Sequence, residues 1–222
     1  MNALIEAGAD VIKIAIEDDL QGRQWPTLSL EEISAIVDAA HQRGVRVAAH
    51  VSRARHVELA LAAGVDDVNH MAVDRMSDEL IKSMVEQGMF WVATLELWEC
   101  VAQLHDAQNW LATAMDNVAR FAAAGGKLAL GTDYEGYVCE FDAGMPITEM
   151  KLMQQAGLTV MQILVAATGN AAEICGIGED TGTIEVGKVA DVIVVSGNPL
   201  DDLSAMERIQ LVIRGGSIVR GE

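Results

Sequence analysis

Residues 45–70 read VRVAAHVSRARHVELALAAGVDDVNH, and they hold one complete repeat of the fold. The apolar run Val45 to His50 reads as a strand that ends on a histidine. A helical pattern from near Ala54 to Ala63 follows, and Gly64 stops it. Val65 to His70 then reads as a second strand ending on a second histidine. Strand, helix, glycine and strand at this spacing make a βα unit, in which parallel strands are joined by a right-handed crossover.

The same grammar extends in both directions. Upstream, Val11 to Ile16 reads as a strand ending in Glu17, Asp18 and Asp19. A loop containing Pro26 leads to Ser29, which with Glu32 predicts a capping box for a helix through Ile33, Ile36, Val37 and Ala40. Downstream the pattern predicts a helix over Ser77–Gln87, a strand over Met89–Thr94, and a long helical stretch through Trp110, Met115 and Phe121. A strand over Lys127–Thr132 comes next, then helices over Ile147–Ala156 and Thr159–Cys175, the second opened by Thr159-x-x-Gln162. Five strands alternating with helices predict an α/β fold with a parallel sheet over residues 1–176. From 177 to 222 the pattern changes to short strands, Val189–Val195, Ile209–Ile213 and Ser217–Val219, with a Gly215-Gly216 turn, which predicts a small C-terminal β appendage.

Composition narrows the function classes. The 222 residues carry 15 Lys and Arg against 33 Asp and Glu, a formal charge of −18, so a phosphate backbone is repelled and nucleic acid is excluded as a partner. Neither an apolar run of bilayer length nor a basic, leader-like start is present, so no membrane association is expected. Cys100, Cys139 and Cys175 are odd in number and widely spaced, which suggests neither a disulfide framework nor a zinc knuckle and fits a reducing cytoplasm.

Four polar residues stand where an apolar strand would not choose them: Lys13, His50, His70 and Asp133. By two-residue alternation Lys13 shares a face with Val11 and Ala15, His50 with Ala48, His70 with Val68, and Asp133 with Ala129 and Gly131. Three of them close their strands, and the carboxyl ends of parallel strands are where such folds place their chemistry. Taken singly, each has a plain structural explanation: a packed histidine, a Lys13–Asp133 ion pair, an Asp133 cap or Asx turn. Together on successive strands they predict one polar cluster. Trp91, Trp98, Tyr134 and Tyr137 can line a pocket or cover the core. Glu96, Glu99 and Glu135 can meet a cationic group or remain solvated.

Several stretches resemble the metal-dependent amidohydrolase superfamily, in its imidazolonepropionase-like and prolidase-like (Xaa-Pro dipeptidase-like) group. Gly8-Ala9-Asp10-Val11-Ile12-Lys13-Ile14 resembles its fourth-strand motif. Ala48-Ala49-His50, the Ala60–Asp66 segment and His70 are similar to its paired histidines on strands five and six. Gly131-Thr132-Asp133 is similar to its strand-eight aspartate motif, and Ala166–Ala172, Gly182–Asp191 and Asn198–Leu200 to its closing segments.

The resemblance implies a partial TIM (β/α)8 barrel, strands four to eight, with the β appendage completing a composite domain. It implies a divalent metal, zinc first, held by Lys13 as a carboxylated lysine and by His50, His70 and Asp133. His70 and Asp133 would be the catalytic pair, acting on a small-molecule amide, dipeptide or cyclic amide. The family's first-strand His-x-His pair does not occur in these 222 residues. Two readings therefore stand side by side: a metal-dependent hydrolase of C–N bonds that lacks its first ligands, or an inactive truncated fragment with a structural role. Asn69, Met71 and Ser52 depart from the family pattern in the surroundings of the site. Five strands leave edges, which predicts a homo-oligomer or association with a separate N-terminal segment.

Overall fold

The fold is taken from a computed structural model that describes residues 1–18, 20, 25–133 and 139–221. Its centre is an open parallel sheet of five strands in sequence order: β1 (Val11–Ala15), β2 (Arg46–His50), β3 (Asp67–Asn69), β4 (Phe90–Ala93) and β5 (Lys127–Leu130). Strand order equal to chain order follows from one-way crossovers, and the connecting helices all pack on one face. That face carries Ile12, Ile14, Val47, Ala49, Val68, Trp91 and Leu128, all buried in the core.

The helices begin where the sequence supplies a cap. Ser29 and Glu32 close a reciprocal capping box at the start of α2 (Leu30–His41), and Thr159 and Gln162 do the same for α8 (Val160–Ala167). Ser77 accepts from the Leu80 N–H at the start of α4 (Asp78–Glu86), while α3 (Ala54–Ala62) fills the remaining early crossover. A short helix α1 (Asn2–Glu6), not anticipated from sequence, precedes β1.

Two expected helices are each divided. The stretch through Trp110 becomes α5 (Leu95–Leu104) and α6 (Gln108–Ala123), separated where Asp106 takes a left-handed φ of 50°. The Thr159–Cys175 stretch becomes α8 and α9 (Gly169–Ile174), broken at Thr168, where φ −127° and ψ −86° leave the helical region. Between these pairs lies α7 (Ile147–Gln155). At the C-terminal end β6 (Val192–Val195), β7 (Ile209–Arg214) and β8 (Ser217–Arg220) form a three-stranded antiparallel sheet.

The cysteines correct the sequence expectation. Cys100 on α5 and Cys139 are joined in a disulfide, with Cα atoms 5.9 Å apart, and Cys175 is free and exposed. The two partners lie 39 residues apart, a pairing that spacing alone does not reveal. Disulfides persist mainly in oxidising compartments, so the cysteines no longer argue for a reducing one. No helix among the described residues is long and apolar enough to cross a membrane.

Candidate functional site

The second face of the sheet is exposed along β1 and buried toward β3 and β4, where Asp67 and Phe90 are covered, and the polar residues gather on it. Cross-strand register puts Lys13, Ala48 and Asp67 in one row, and Ala15, His50 and Asn69 in the next. Residues in one row share a face, so Lys13, His50, Asp67 and Asn69 all project to the same side. Val11, Lys13 and Ala15 are exposed there, while Ile12 and Ile14 between them are buried against the helices.

His70 reaches this side by a route that alternation misses. Val68 is fully buried against the helices, so a regular strand would send His70 into the same core. The strand ends at Asn69 and His70 takes a left-handed φ of 72°, which turns its ring back toward the site. The Trp91 indole N–H donates to the His70 carbonyl, and His70 Nδ1 lies 3.1 Å from Thr94 Oγ. Asp133, three residues past β5, is also left-handed, with φ 55°.

These turns bring three of the four expected residues close together. The His50 and His70 rings meet edge to face with centroids 4.6 Å apart, and His70 Nε2 lies 3.8 Å from Asp133 Oδ2. Burial, reinforced by His50 and Lys13, pushes the His70 pKa down to about 3, so its imidazole is neutral at pH 7. Lys13 donates to Asn69 Oδ1, and Asn69 in turn donates to Asp67 Oδ2 at 3.1 Å. Desolvation lowers the Lys13 pKa, opposed by the charges of Asp133 and Asp67. Burial raises Asp67 to about 6, against the pull of Arg46. Asp67 was missed in the sequence reading, because its place in the row of Lys13 follows from the strand register and not from the sequence.

A second polar group was also missed. Among the described residues, Glu17, Asp18 and His56 are the only His, Cys, Asp or Glu trio whose donor atoms all lie within 4.8 Å of one another. The Arg55 guanidinium already holds Asp18, His56 Nε2 lies 3.0 Å from the same carboxylate, and Ser52 Oγ donates to Glu17. The trio is therefore an ion-pair network beside the site, linked to it by Glu17 Oε2, 3.6 Å from His50 Nε2. His50, His70 and Asp133 are more loosely spaced than this trio, although His70 lies close to each of the other two.

The aromatic residues divide as their burial dictates. Trp91 stacks edge-on against Phe121 at 5.4 Å and Trp98 against Trp110 at 6.5 Å, so both cover the core. Tyr134, Glu135 and Tyr137 lie outside the described residues.

The amidohydrolase family model matches residues 3–219. The chain belongs to the amidohydrolase family. Ochratoxinase from Aspergillus niger is 28% identical over 240 residues, covering 98% of this amidohydrolase chain and 48% of the relative. Imidazolonepropionase from Symbiobacterium thermophilum is 29% identical over 169 residues, covering 76% of this chain and 37% of its own. A solved Xaa-Pro dipeptidase with methionine bound in its active site superposes with a TM-score of 0.84 at 31% identity, over 98% of this chain and 56% of that one. The solved A. niger ochratoxinase superposes with a TM-score of 0.86 at 27% identity, over 100% of this chain and 53% of that one. This amidohydrolase chain thus spans about half the length of the relatives it matches.

Proposed function

We propose that this chain carries the later half of the active site of a hydrolase that cleaves C–N bonds in a small amide, dipeptide or cyclic amide. Its five parallel strands are read as strands four to eight of a (β/α)8 barrel. Lys13, His50, His70 and Asp133 would hold one divalent cation, zinc by the chemistry of the donor set. The observation that carries this reading is the approach of His70 Nε2 to Asp133 Oδ2, 3.8 Å apart and without a hydrogen bond between them, with the His50 ring alongside. Two bonds of about 2.1 Å span at most about 4.2 Å, so one ion fits between those atoms. A neutral His70 imidazole offers a lone pair for it.

When bound, a metal of this kind activates water at neutral pH by lowering its pKa toward about 7. Asp133 takes the proton released by the attacking water and returns it to the departing nitrogen, a base and then an acid in turn. His70 is held in orientation by Thr94 and by Trp91 through its own backbone. The lowered pKa of Lys13 favours the free amine, the form that adds CO2 to give a carboxylated lysine with loss of one proton. The open face around Lys13 would be covered by a second copy of the chain or by a segment supplying the family's earlier strands.

That same open face favours a second reading, a fragment that keeps its ligand positions without turnover, since Val11 and Ala15 beside Lys13 are exposed. Elemental analysis of the purified chain, with a hydrolysis assay on a panel of N-acyl amino acids and dipeptides, separates the two. About one metal per chain, lost in His70→Ala, together with turnover supports the hydrolase. Bound metal without turnover supports the second reading, and absence of metal from the wild-type chain removes the proposed centre altogether.

A further inference from the structure

Outside the candidate site, a cleft of about 610 Å³ lies against α5 and is lined by Glu96, Glu99, Glu140 and Asp142, with no Lys, Arg or His among the described residues of its wall. The Cys100–Cys139 disulfide fastens its two sides together. None of these four acids takes part in an ion pair with a described residue, although the chain places salt bridges on many of its other carboxylates. Acidic residues gathered on a surface are ordinarily solvated and need no ligand. Glu96 is different.

Glu96 lines this cleft yet is only 6% exposed. Its Oε1 accepts from the Asp142 N–H at 3.3 Å, while its Oε2 is buried without a hydrogen-bond partner. An unpartnered carboxylate oxygen at such a position is unfavourable, because water no longer solvates it. Desolvation and the charges of Asp142 and Glu99 also hold the Glu96 carboxyl above the usual carboxylate range. Oε2 itself has almost no accessible surface, so a cation in the cleft reaches it only with a shift of the Glu96 side chain, while its positive charge offsets the repulsion from Asp142 and Glu99 in either case.

We propose that this cleft binds an organic cation, a ligand bearing an ammonium or guanidinium group. A bare metal ion suits it less well. The cleft is far larger than an ion, and its acids contribute no trio of donor atoms within 4.8 Å, whereas a divalent cation gathers its oxygen ligands at about 2.0–2.6 Å. A planar or tetrahedral N–H donor reaches separated carboxylates at ordinary hydrogen-bond distances instead. Asp142 also lines a neighbouring cleft with Gly131 and Thr132, the two residues before Asp133, so a cation held here lies beside the candidate site. Binding of a cation here is independent of any hydrolysis by the chain.

Isothermal titration calorimetry with agmatine, which carries one guanidinium and one ammonium group, tests it on the full chain, with uncharged butylurea as the control ligand. Agmatine is expected to bind while butylurea does not. Affinity should fall at least tenfold in the Glu99→Gln/Glu140→Gln double variant, and again in Glu96→Gln. The double variant changes surface carboxylates, so its unchanged thermal melt verifies folding even if Glu96→Gln proves unstable. Equal agmatine affinity in wild type and double variant, or tighter binding of Ca²⁺ than of agmatine that the double variant abolishes, would overturn the proposal.

Discussion

The indole N–H of Trp91 donates to the main-chain carbonyl of His70, so a fully buried core residue pins the backbone of a site histidine from behind. His70 needs that restraint because its φ of 72° lies in a region that non-glycine residues rarely enter. Trp91→Phe keeps an aromatic ring against Phe121 but leaves the carbonyl without its donor. The expected cost is about 1–3 kcal/mol, read as a lower urea midpoint. An unchanged midpoint would mean that the hydrogen bond contributes nothing to holding His70 in place.

Asp133 offers a cleaner test of chemistry than of stability. It is left-handed at φ 55°, a conformation that asparagine also tolerates, so Asp133→Asn should preserve the fold. Loss of a positioned base and acid should lower turnover by about 10²–10⁴-fold in any preparation of the chain, or of its complex with a completing segment, that hydrolyses an amide. A urea midpoint equal to that of wild type, measured in parallel, assigns the loss to chemistry. Full turnover in the variant would remove Asp133 from the proposed role.

The fold was legible in this sequence because its signals are local. The Ser29 and Thr159 capping boxes, the glycines that end helices and the Ile12-Lys13-Ile14 alternation each fix an element without reference to the rest of the chain. What was not legible depends on register and on breaks. Asp67 joins the row of Lys13 only once the β2–β3 pairing is known, and His70 leaves the helix-packed face only through one backbone rotation. The left-handed Asp106 interrupts an otherwise continuous helical pattern without a glycine or proline to announce it, whereas the break at Thr168 stands directly before Gly169, a signal the sequence did carry.

The disulfide makes a prediction of its own. Joining Cys100 to Cys139 closes a loop across 39 residues and so restricts the unfolded chain, an effect worth roughly 2–4 kcal/mol. Added reductant should lower the urea midpoint of the wild-type chain and leave that of a Cys100→Ser/Cys139→Ser double variant unchanged. If reductant has no effect on the wild type, the two thiols are not joined in solution.

Glu149 predicts the direction of a pH dependence. It lies fully buried on α7 and caps α5 from a distance: its Oε2 accepts from the Glu96 N–H at 2.7 Å, at a helix start where Thr94 makes no side-chain cap. Burial, set against those backbone donors, raises its pKa from 4.5 to about 7. Between those values the folded chain keeps a proton that the unfolded chain has released, so stability falls as pH rises through the window and levels off above about 7. The full effect is roughly 3 kcal/mol. Asp67, raised from 3.8 to about 6, has the same sign at lower pH. Glu149→Gln keeps the cap acceptor without the titration, so its urea midpoint should drop less than that of wild type between pH 5 and pH 8. Parallel curves for the two proteins would show that Glu149 is already ionised in the fold, and the capping carboxylate would then have to be charged at neutral pH.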